Sequence, residues 1–166
     1  MISYQYSKKV LKKAIIKIKD ENIKSVNSLS RVVSSNVICG INYPTGDNAA
    51  FDGYAINSQD TKNIKKNLPK KFKIIGLIAA GNKPFKKKIK RYDAVEIMTG
   101  GIIPKGFDTI IPIEKIILYP NENNKKYILI NKKIKKHNHV RFAGSDFQKK
   151  EIVVKKNTII QPNHIL

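Results

Sequence analysis

The chain is poor in the residues that build covalent or metal scaffolds. It has one cysteine, Cys39, three histidines and no tryptophan among 166 residues. A lone thiol excludes an intrachain disulfide framework and a cysteine cluster around zinc. His137, His139 and His164 supply no third or fourth ligand nearby, so a tetrahedral site is not expected. No apolar run approaches the roughly 20 residues of a membrane-spanning helix. Lysines interrupt every apolar cluster behind the basic amino terminus, which leaves no continuous core for a secretory signal. The phosphate-loop pattern Gly-x-x-x-x-Gly-Lys-Ser/Thr is absent. A cytoplasmic protein is the expectation.

Acidic residues are also scarce: 12 against 33 basic ones, a formal net charge of +21. Such a surface can attract nucleic acid, anionic lipid or phosphorylated small molecules. Only Arg31, Arg91 and Arg141 are arginines, however, and arginine is the residue whose planar fork reads phosphates and guanine edges. Lysine, isoleucine and asparagine share A/T-rich codons, so the charge reads first as a solvated surface shaped by codon usage. Most lysines flank strands without aromatic partners. Nucleic acid is therefore not an expected partner, although a non-catalytic basic β module binding nucleic acid or other anions stands as the alternative reading.

What is present argues for a globular fold, with 41% hydrophobic and 27% charged residues. The length suits one compact domain or two small ones. Val10, Leu11, Ala14, Ile15 and Ile18 recur at helical spacing and predict a packing helix over Tyr4 to Lys19. A short helical turn is expected near Asn27 to Arg31, capped by Asn27 or Ser28. Beyond Pro44 the pattern changes to short strands, expected at Phe72–Ala80, Asp93–Met98, Thr109–Ile113, Ile116–Tyr119 and Tyr127–Ile130. Two more are expected at Glu151–Val154 and Asn157–Ile160. Asp52-Gly53 between apolar arms predicts a hairpin across Ala50–Ile56. The fold class is α+β and mainly β. Pro162 reads as the first residue of a further helix, which raises the expectation of another domain downstream.

Two segments stand out chemically: Asp47 to Ala55, and Ile97-Met98-Thr99-Gly100-Gly101. Asp52 is either a turn aspartate at positive φ or a carboxylate held for a cation or a developing charge. Thr99-Gly100-Gly101 is either an ordinary strand end or a hydroxyl beside free backbone donors. Arg141, Gly144 and Asp146 form a third polar loop. Asp47 is expected to bond its own backbone in a turn, and Cys39 to be a small buried apolar residue.

The run from Pro44 through Phe51-Asp52-Gly53-Tyr54-Ala55 resembles the signature of the MoeA/gephyrin family, the molybdopterin molybdenumtransferases. Ala94 to Glu114, centred on Met98-Thr99-Gly100-Gly101, looks like a second family block, and His139 to Asp146 like a third. The resemblance covers essentially the whole chain. It implies a discontinuous domain from residues 1–43 and 141–166, and a β-rich, barrel-like domain inserted at 44–140. The carboxy-terminal α/β domain that holds the pterin would be missing, leaving this segment inactive alone.

It further implies a homodimer with a site shared between subunits. The reaction would insert molybdate-derived molybdenum into adenylylated molybdopterin, with magnesium as cofactor. Carried over by position, Asp52 and Thr99 would be catalytic, with Asp52 also serving magnesium through water. Gly100, Gly101, Arg141 and Asp146 would bind substrate. The chain departs from the family pattern at Ser30, Ala49, Phe51 and Ser145, where glycine, serine, methionine and glutamate are usual.

Overall fold

A computed structural model describes residues 2–14, 18–82 and 85–165. It divides into two compact units, Met1–Val37 with Ile152–Leu166, and Ile38–Glu151.

The first unit carries helix α1, Tyr4–Lys13. Ser3 caps it, its hydroxyl accepting from the Tyr6 N–H at 3.2 Å. The helix is shorter than the heptad-like spacing predicts. Ala14 turns extended and ends it, and Ile15 lies outside the described residues. No residue of α1 is buried, so the packing role expected for its apolar stripe finds no partner among the described residues. The expected turn lies earlier, as a 3-10 turn over Ser25–Asn27. Ser28 closes that turn, its hydroxyl donating back to the Ser25 carbonyl at 2.6 Å. The Asn157–Ile160 strand reduces to a bridge between Val32 and Ile159, flanked by Val33 N–H to Thr158 O at 2.9 Å. The strands β1 (Val37–Ile38) and β10 (Ile152–Val154) pair with each other.

The second unit is built on β2 (Asn48–Ala49), β3 (Gly53–Ile56), β4 (Lys70–Ile78), β5 (Asp93–Ile97), β6 (Thr109–Pro112), β7 (Ile117–Tyr119), β8 (Tyr127–Ile130) and β9 (Val140–Arg141). Six of them form one sheet in the order β6-β3-β5-β4-β8-β7, antiparallel except for the parallel β4–β5 pair. The architecture is mainly β with a single α-helix among the described residues.

Alternation along β3, β5 and β6 explains why these strands are buried except at Glu96. Tyr54, Ile56, Ala94 and Ile111 point into one core with Phe72 and Ile128. Ala55, Val95, Ile97 and Ile110 point into a second core with Ile78 and Phe107. Strands cored on both faces read as continuous apolar runs, and Gly53-Tyr54-Ala55-Ile56 does. By contrast β4, β7 and β8 keep an open face, where Lys71, Lys73, Ile117 and Tyr119 are exposed.

The hairpin expected at Asp52-Gly53 does not form. Strand β2 pairs with β9, and β3 pairs with β5 and β6, so the two arms never meet as a ladder. Neither Asp52 nor Gly53 has positive φ. Glycine stands at 53 for a different reason. A Cβ there would lie 2.0 Å from the Ile111 carbonyl oxygen.

Candidate functional site

The signature segment organises the polar residues of the second unit. Gly53 of β3 pairs with Ile97 at the end of β5, so Asp52 and Thr99 emerge beside each other. The Asp52 carboxylate accepts two hydrogen bonds on Oδ1, from the Thr99 N–H at 2.6 Å and the Thr99 hydroxyl at 2.7 Å. These bonds hold the Asp52 carboxyl below its usual range, the backbone bond more than the hydroxyl. The group is exposed, and Oδ2 takes neither bond.

A carboxylate with depressed pKa stays ionised to lower pH, and its two bonds persist until the pH falls through that lowered value. A Thr99→Val variant removes the hydroxyl and keeps the backbone donor. Its Asp52 titration, followed by carboxyl carbon NMR, should therefore move upward without reaching the ordinary aspartate range. A titration that does not move would show that the hydroxyl contributes nothing.

The two glycines act differently from the loop expected of them. The Gly100 N–H donates to the Ala49 carbonyl at 2.9 Å, and the Gly101 N–H to the Met98 carbonyl at 2.8 Å. Together with the Thr99 N–H, all three donors are committed internally, so the expected free backbone donors are not there. Gly100 supplies a left-handed turn at φ 79°. At Gly101 a Cβ would press on Ile97 and the Met98 carbonyl, both at 2.9 Å.

Arg141 and Asp146 meet as an ion pair on the other flank of β2. Arg141 lies opposite Asn48 in the β2–β9 ladder. Two further residues fasten that flank. Asp47 does not close a local turn; its Oδ1 accepts from the Ala143 N–H at 2.9 Å, across 96 positions. His139 receives the Phe51 ring edge-on at 4.9 Å, and its carbonyl accepts from the Ala50 N–H at 3.0 Å. Phe51, standing where methionine is usual, thus has an aromatic partner. The structure joins Asp52 to Thr99 and Arg141 to Asp146; the backbone of residues 48–50 links these pairs. Asp47 and His139 could have been found only from their long-range partners.

Cys39 is half-buried rather than buried, its thiol 2.9 Å from the Ile41 carbonyl. Among the described residues no helix is long and apolar enough to cross a membrane.

The family model described as the MoeA N-terminal region, domains I and II, matches residues 2–166. Molybdopterin molybdenumtransferase of Bacillus subtilis is 29% identical over 82% of this chain and 31% of its own length. The enzyme of that name from Haemophilus influenzae is 29% identical over 95% of the chain and 37% of its own. A crystal structure of the molybdopterin biosynthesis MoeA protein of Pyrococcus horikoshii superposes with a TM-score of 0.83 at 28% identity, covering 99% of this chain and 42% of that one. The chain thus spans about a third of the curated relatives it matches. Family match, sequence relatives and superposition agree: the chain belongs to the MoeA N-terminal region family.

Proposed function

We propose that the chain is the amino-terminal part of a molybdenum insertase of molybdenum cofactor biosynthesis. In full length it inserts molybdate-derived molybdenum into adenylylated molybdopterin, with release of AMP. The observation that carries this reading is the Asp52–Thr99 pair, an ionised carboxylate anchored through one oxygen at the junction of two rigid strands.

Both substrates are anions, and a bare carboxylate would repel them. Magnesium resolves the conflict. Among the described residues no three carboxylates, histidines or cysteines form a metal cage. Magnesium does not need one, since it is often held by one or two carboxylates with waters and substrate phosphates. Asp52 Oδ2 fits that mode, through water. When bound, the ion supplies charge neutralisation on the phosphates and a more acidic water.

The chain's own residues do the rest. Thr99 fixes the carboxylate so that no rotamer search precedes the chemistry. Gly100 and Gly101 shape the adjoining turn against the substrate. Arg141 offers positive charge to the anions, oriented by Asp146. The family resemblance implies a homodimer in the cytoplasm, with each site completed by the pterin-binding domain of the other subunit. The segment alone is then inactive.

The test is Asp52→Asn in the full-length protein, assayed for molybdenum cofactor formation from adenylylated molybdopterin and molybdate. A loss of about 100-fold or more is expected, the scale of removing one preorganised electrostatic group. Undiminished formation would reduce this segment to a dimer scaffold.

A further inference from the structure

The open face of the sheet joins two strongly basic stretches. Residues 62–73 hold six lysines and residues 125–136 six more, with no aspartate or glutamate in either stretch. The β4–β8 pairing lays these two stretches side by side. Registers fix the face residue by residue. Lys71, Leu129 and Ile117 form one row across β4, β8 and β7; Lys73, Tyr127 and Tyr119 form the next. Their neighbours Phe72 and Ile128 point the other way and are fully buried. Beyond the end of β8, a hollow of about 340 Å³ is lined by Lys66, Lys132, Lys133, Asn131 and Ile64.

The interleaving that the linear sequence does not display is therefore created by strand pairing. The Lys71 ammonium sits 3.8 Å from the centre of the Tyr119 ring. Tyr119 and Tyr127 neighbour each other at 6.4 Å. Lysines two apart on a strand stand roughly 7 Å apart on one face.

We propose that this face is a binding surface for single-stranded nucleic acid. Lysines take the phosphates as point charges, and the two tyrosines receive unstacked bases. A duplex keeps its bases stacked and paired and would leave the tyrosines idle. An acidic peptide would satisfy the charge and gain nothing from the rings. The activity is separate from the molybdenum reading, and neither depends on the other.

The 166-residue chain should bind a short fluorescein-labelled oligouridylate at physiological salt with a Kd of about 10⁻⁵ M, weakening as salt rises. A Tyr119→Ala/Tyr127→Ala double variant, whose charge is unaltered, should lose about tenfold or more. Lys71→Gln/Lys73→Gln should also weaken binding and flatten the salt dependence, which keeps the test decisive if the tyrosine variant does not fold. Lys155→Gln/Lys156→Gln, an equal charge loss elsewhere, should change affinity less than about twofold. Equal losses for both lysine pairs would overturn the proposal, as would affinity indifferent to the tyrosines. Equally tight, tyrosine-insensitive capture of phosphatidylserine vesicles or polyglutamate would overturn it too.

Discussion

Replacing Gly53 with alanine is expected to prevent the β-rich unit from folding. The Cβ would stand 2.0 Å from the Ile111 oxygen, 2.8 Å from its carbonyl carbon and 2.9 Å from the Pro112 Cα. All three are backbone atoms, so no side chain can rotate away. Gly53 is also paired on both sides, with Pro112 of β6 and Ile97 of β5. Relief would require β6 to separate from β3, and Ile110 and Ile111 would leave their two cores with it. A cost of at least about 4 kcal/mol follows, which places the change among the rare severe ones. That consumes much of the 5–15 kcal/mol a typical domain holds. Circular dichroism with urea titration is the check, and a cooperative transition near the wild-type midpoint would refute the clash. Gly101→Ala offers a graded comparison. A Cβ there would meet its neighbours at 2.9 to 3.2 Å, against 2.0 Å at Gly53, so a smaller loss is expected.

Phe72→Ala should be the next largest loss, about 3–5 kcal/mol. Phe72 is fully buried, sits in the core with Ile128 and Tyr54, and meets the Tyr92 ring edge-on at 5.4 Å. Truncation leaves a ring-sized void and removes that aromatic pair. The urea midpoint should fall while the slope stays constant, because the exposed area on unfolding hardly changes. Phe72→Leu should recover most of the loss. If alanine cost less than about 1 kcal/mol, the first core would be far looser than its burial implies.

The strands themselves were legible in the sequence because alternation and turn residues are local signals. Tyr127–Ile130 lies where the pattern puts it, five others shift by a residue or two, and Asn157–Ile160 shrinks to a single bridge. Pairing was not legible. The Asp-Gly hairpin failed because β2 finds its partner at Val140–Arg141, far along the chain, and that ladder outcompetes the local turn. For the same reason the meeting of Asp52 with Thr99, 47 positions apart, could be inferred only through resemblance. The glycines at 100 and 101 promised open donors, but the carbonyls that occupy them include Ala49, which belongs to another block. Residue types were readable; their partners were written in the register of the sheet.

The burial of β3 and β5 on both faces also sets how the candidate site breathes. Asp52 immediately precedes one of these strands and Thr99 closely follows the other. Their bond cannot be lost by a loop swinging aside. It opens when the strand ends unzip, an event that draws on the two cores and is correspondingly infrequent. Amide exchange at Thr99 should accordingly be slow for an exposed residue. The half-site would then greet its ligand already formed, and encounter rather than rearrangement would limit the first step of binding.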